Sequence, residues 1–206
     1  SSTKLTYTLT EVYNPGSTKA ISTAFQANTQ TSVGYLIDSG TAATSGLGLI
    51  ANSFTSITVN SPTGTIIVGA IPQYKFTIVL KNAIPSSGGK LLITFPSQIA
   101  VQAGGSCTAV ISTVNHVCTL SSTANTATIT FNANAAKGSS LVVDITNGAK
   151  NPTTSAESTY ITFASSVTES GSTYDIDQNL ASITVTPTIY GTLTSCSVVR
   201  VDSSKI

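Results

Sequence analysis

Residues 4–13 alternate: Leu5, Tyr7 and Leu9 fall on one face of an extended segment, and Thr6, Thr8 and Thr10 on the other. Period-two alternation marks a strand with one buried face. The same signal returns at residues 74–80 (with Phe76 and Ile78), 90–95, 126–131, 141–146, 159–164 and 182–186. Turn-forming residues separate these runs: Pro15-Gly16, the Pro/Ser/Gly cluster at 85–89, Gly104-Gly105, Gly138, Asn147-Gly148 and Gly171. The one helix candidate, 133–137, is too short to build with. Many short strands separated by regular turns predict an all-β chain of immunoglobulin-like antiparallel β-sandwich repeats.

The pattern also repeats itself. Asn14-Pro15, then Tyr35-Leu36-Ile37-Asp38, then Ile57-Thr58-Val59 and Gly64-Thr65 recur in order as Asn151-Pro152, Tyr174-Asp175-Ile176-Asp177, Ile183-Thr184-Val185 and Gly191-Thr192. The loop after Asp38 is longer than the loop after Asp177. Internal similarity at a fixed period is the signature of a tandem array. It divides the chain into residues 1–60, the C-terminal half of one unit; 61–186, a complete unit; and 187–206, the first strand of a following unit. A half-sandwich exposes its apolar face and unpaired edges, so neighbouring copies are expected to complete it. The expected inter-subunit strand runs through Gly191, Leu193, Val199 and Val201.

Composition narrows the function classes. The formal net charge is +1 and 8% of residues are charged, while 40% are hydrophobic. Disordered chains combine low hydrophobicity with high net charge, so this chain is expected to fold, with Thr and Ser on its exposed strand positions. Low charge gives nucleic acid nothing to bind electrostatically. No apolar run approaches the ~20 residues of a membrane-spanning helix. There is no Met, and residue 1 is read as lying inside a processed or excerpted chain. No Asn-x-Ser/Thr acceptor is present; O-linked sugar on Ser or Thr is expected to cover surface so poor in charge, unless neighbouring subunits do.

The three cysteines are Cys107, Cys118 and Cys196. Cys107 and Cys118 bracket a short two-strand hairpin, which suits a structural disulfide; the spacing is wrong for CxxC metal or redox chemistry. Cys196 has no obvious partner.

The run Val12–Phe25, V-Y-N-P-G-S-T-K-A-I-S-T-A-F, followed by Gly34-Tyr35-Leu36-Ile37-Asp38, resembles the Ser/Thr-rich tandem β-sandwich repeats of large ciliate-type surface proteins. Asn151-Pro152, residues 159–163 and Tyr174–Asp177 match in the second copy. The cysteine pair between an Ile-Thr-Phe-Pro strand and a Thr-Ile-Thr-Phe strand is also similar to that repeat. The resemblance implies an extracellular, non-enzymatic protein and supplies no catalytic residue.

Few residues offer chemistry. His116 has no carboxylate near it in sequence and is read as a surface-loop histidine. Asp175 and Asp177, two apart on a strand, would share a face that could take Ca²⁺; Leu36 replaces Asp175 in the first copy, which favours Asx-turns at Asp38 and Asp177. The seven tyrosines, Tyr7, Tyr13, Tyr35, Tyr74, Tyr160, Tyr174 and Tyr190, could line a sugar-binding face, although core and rim positions suit them better. No cofactor is expected. The leading expectation is a structural extracellular protein at the cell surface, forming a coat, fibre or appendage, with donor-strand contacts between copies. The alternative is an adhesin-type module that binds a glycan or protein through loops at the sandwich end.

Overall fold

The computed structural model describes residues 16–20, 25–42, 49–63 and 66–189. The expected strand 4–13, Asn14-Pro15, Gly64-Thr65, Cys196 and the expected inter-subunit strand (Gly191, Leu193, Val199, Val201) lie outside the described residues. The described residues form thirteen strands: β1 (Phe25–Gln30), β2 (Leu36–Ala42), β3 (Ser56–Ser61), β4 (Tyr74–Val79), β5 (Gly89–Thr94), β6 (Ala100–Val101), β7 (Ser106–Ile111), β8 (Val114–Ser121), β9 (Thr126–Thr130), β10 (Ser140–Thr146), β11 (Ala149–Lys150), β12 (Ile161–Glu169) and β13 (Ser172–Ile183). No helix occurs among the described residues, so none there is long and apolar enough to cross a membrane.

Alternation drives the architecture. Tyr74, Phe76 and Ile78 of β4, Leu91 and Ile93 of β5, Leu141, Val143 and Ile145 of β10, and Ile161, Phe163 and Val167 of β12 all point inward and are buried. A strand with one apolar face must lay it against another layer. Here the layers meet ring to ring: Phe76 of β4 stands edge-on to Phe163 of β12 at 5.4 Å, and Tyr74 edge-on to Phe95 at 5.7 Å.

One ladder runs β13-β12-β5-β9-β8-β7-β10-β4-β3, antiparallel throughout. It folds into two layers because β8 changes partner along its length. Residues Val114–His116 pair with β7, and Val117–Ser121 pair with β9. One layer is β3-β4-β10-β7 and the other β9-β5-β12-β13, two antiparallel layers of an immunoglobulin-like sandwich. The hairpin β8–β9 is laid between β7 and β5 and closes that side.

The open side is sealed by the chain that enters the sandwich. Asn52 bridges β13 in parallel, donating to the Ile176 carbonyl at 3.1 Å and accepting from Gln178 at 2.7 Å. Phe54 then drops into the core, Thr55 donates to Val79, and β3 pairs with β4. The sandwich therefore begins before residue 61. Strand β3, which the repeat assigns to the preceding half-unit, is its edge strand. The matched segments Ile57–Val59 and Ile183–Val185 also take different places. The first pairs with β4. The second ends β13, with Ile183 opposite Ile161 and the Val185 carbonyl accepting from Ser158.

A candidate assembly interface

The second copy of the Asn-Pro motif works as a bracket. Asn151 is 2% exposed. Its Oδ1 accepts from the Tyr74 hydroxyl at 2.7 Å, its Nδ2 donates to the Ile67 carbonyl at 2.9 Å, and its backbone N–H donates to Ala70 at 2.8 Å. Pro152 accepts from Gly69. One buried amide thus ties the loop before β12 to the segment leading into β4. Burial also pushes the Tyr74 hydroxyl well above the usual phenol range, so it stays a donor.

The Tyr-x-Ile-Asp motif fixes the opposite end. Asp177 is fully buried. Its carboxylate accepts from the backbone N–H groups of Lys81 and Asn82 at 3.1 and 3.0 Å, and from Asn82 Nδ2 at 2.8 Å. Burial raises its pKa, and the Asn82 and Lys81 contacts oppose that rise without cancelling it. Asp175 is exposed. The two carboxylates do not share a face, because the register slips between Ala164 and Ser166 opposite them and turns Ile176 and Asp177 inward together. Among the described residues no three His, Cys, Asp or Glu side chains gather as a metal site.

The first copy of the same motif stands on the hairpin β1–β2 and makes none of those burial contacts. Like β12–β13, this hairpin carries a register shift, between Thr29 and Gln30. In both copies a hydroxyl on the first strand accepts the motif aspartate's N–H: Thr29 Oγ1 from Asp38 at 3.1 Å, Ser165 Oγ from Asp177 at 3.0 Å. Yet Ile37 is 60% exposed where Ile176 is 2% exposed, and Tyr35 is 73% exposed. β1–β2 forms a two-stranded sheet of its own.

The chain just before that hairpin grips the sandwich. Thr18 donates its N–H to the Asp175 carbonyl at 2.7 Å, and its hydroxyl accepts the Asp175 N–H at 2.9 Å. Lys19 pairs with Glu169 and lies 5.9 Å from the Tyr174 ring centroid. Ala83 and Pro85 line both a small pocket that Gly16 and Ser17 also line and a neighbouring groove of about 320 Å³ formed with Ile84, Asn134, Ala135 and Ala136.

A disulfide joins Cys107 to Cys118, with Cα atoms 5.4 Å apart. Cys107 faces Ile145 of β10 and Cys118 faces Ile129 of β9, so the bond staples the two layers where β8 passes between them. His116 is not a surface-loop residue. It is 7% exposed on β8, with its ring 4.9 Å from that of Phe131 and Nδ1 2.9 Å from Asn132 Oδ1. Tyr74 is core, Tyr35 and Tyr160 are exposed, and Tyr7, Tyr13 and Tyr190 lie outside the described residues.

No family model matches the chain, and no curated protein matches it. Among solved structures, the crystal structure of the RrgA Jo.In complex aligns with a TM-score of 0.39 and 8% identity, covering 62% of this chain and 78% of that one. The pilus backbone RrgB from Streptococcus pneumoniae aligns with a TM-score of 0.28 and 14% identity, covering 54% of this chain and 49% of that one. The description of the fold rests on the strand order above, independently of these likenesses.

Proposed function

We propose that this chain is a structural, extracellular protein of the cell surface built of immunoglobulin-like units, forming a coat, fibre or filamentous appendage. One observation carries the reading: a single chain holds a sandwich and, before it, a hairpin bearing the same motif that is two-stranded among the described residues. A hairpin of this kind is marginal alone, and its exposed Ile37, Leu36 and Tyr35 suit contact with another unit. Residues 187–206, with Gly191, Leu193, Val199 and Val201, supply the first strand of a following unit. The disulfide suits an oxidising compartment. Antibodies raised against the sandwich should label the outside of intact, unpermeabilised cells and decorate extended material shed from them. Labelling confined to permeabilised cells would overturn the reading.

A further inference from the structure

Resting on that reading, we infer that the outer edge of β1 is a docking site for one particular element of another copy of the repeat: a turn and strand with the chemistry of residues 80–94. The second copy shows what such a hairpin holds. β12 receives β5 along six pairs, from Thr162↔Thr94 to Val167↔Gly89. Asp177 holds the turn that leads into β5 through Lys81 and Asn82. The hairpin β1–β2 has counterparts of the elements that hold the turn. Thr29 serves Asp38 as Ser165 serves Asp177, and Asp38 keeps a carboxylate whose described partner is the Thr29 hydroxyl. With Thr29 aligned to Ser165, the backbone of the Leu91 equivalent falls opposite Thr29 and that of the Ile93 equivalent opposite Ala27.

The occupant is not this chain's own β5, which is locked between β12 and β9. It is a β5-type strand from a neighbouring copy of the unit. The glycines define the element further. Gly88 has φ +74, and a Cβ on Gly89 would lie 1.9 Å from the Pro85 carbonyl oxygen. The turn therefore requires Gly-Gly before the alternating strand.

The test uses the whole 206-residue protein and a synthetic peptide of residues 80–96, read by amide hydrogen exchange and by titration. Bound peptide is expected to slow exchange across residues 25–38. Asp38→Ala is expected to weaken binding by about tenfold or more, since the carboxylate loses charge-assisted bonds to the turn. Asn82→Ala in the peptide should weaken it too. Asp38 is exposed, so its replacement leaves the sandwich intact, and unchanged protection of β4 and β10 verifies that. Three results would overturn the inference: no protection of 25–38 at saturating peptide, protection confined to 161–169, or equal protection by a peptide of residues 190–206. A chain that labels as a surface fibre but ignores the peptide leaves the proposed function standing and removes this interface.

Discussion

Replacing Asn151 with Ala tests whether the repeated Asn-Pro motif is a structural bracket. The side chain makes two hydrogen bonds in a site where Asn151 is 2% and Tyr74 0% exposed. Ala keeps the backbone bond to Ala70 and the Pro152 contact with Gly69. What is lost is the partner of a fully buried hydroxyl, at about 1–3 kcal/mol, and one ordinary hydrogen bond to Ile67, at about 0.5–1.5 kcal/mol. The expected cost is about 1.5–4.5 kcal/mol, a large share of the ~5–15 kcal/mol that holds a domain together. Tyr74→Phe alone should cost less, about 1–2 kcal/mol, by leaving the amide oxygen unpaired. The double variant should cost less than the sum of the two, because removing the hydroxyl removes the penalty of stranding it. Urea unfolding followed by circular dichroism, at fixed pH with the disulfide intact, measures all four forms. A loss below about 0.5 kcal/mol for Asn151→Ala, or strictly additive single variants, would refute the bracket.

Replacing both Cys107 and Cys118 with Ala should lower stability by about 3 kcal/mol, since the bond closes a loop of sequence separation 11; reductant should then have no further effect on the melting curve. Ile176→Ser should cost about 2–5 kcal/mol, whereas Ile37→Ser, at the same place in the motif, should change the stability of the sandwich by less than about 0.5 kcal/mol. Equal costs would mean that the hairpin is packed. Burial raises the Asp177 pKa, so its ionised form is the costlier one in the fold. The contribution is favourable below the ordinary carboxylate range and is lost as pH rises through the raised value. The stability difference between the wild type and Asp177→Asn should shift against the wild type across that interval, and a shift of opposite sign would contradict the burial argument.

Strands β4, β5, β9 and β10 were legible because each has one buried face, and half-burial writes period two into a sequence. β12 was legible only as far as Ala164. Beyond it Ser165 occupies a buried position that alternation reserves for an apolar residue; its hydroxyl serves the Asp177 backbone, a partner twelve residues away. The greater part of β13 escaped for a related reason. Its Asp, Gln and Asn content reads as loop, and a bulge breaks its alternation where Ile176 and Asp177 are buried side by side. His116 was misplaced because the ring that covers it, Phe131, lies just past the end of the next strand, β9. Repetition marked Asn151 and Asp177 as important, but what they do depends on residues 67–74 and 81–82, which no local window contains.

A structural role predicts how the chain should answer a pull on its ends. Load entering through residues 49–54 meets β13 at Asn52, and load leaving through 184–189 meets the start of the unit at Ile66 and Val68. Both contacts are parallel bridges, so their hydrogen bonds are sheared together instead of opening one after another. Among the described residues no second layer covers the hairpin β1–β2, which should straighten at low force once the Thr18 contact with Asp175 has parted. Pulled singly, the 206-residue chain should therefore show one main force peak, from the sandwich. The length released is shortened by the segment held behind the disulfide. Eleven residues extended at about 3.3–3.6 Å each, less the 5.4 Å already spanned between the cysteine Cα atoms, correspond to about 30–35 Å. Reduction should lengthen the release by that amount. A second peak of comparable height from the first sixty residues would show that the hairpin is already part of a packed unit, and the case for a partner copy would fall with it.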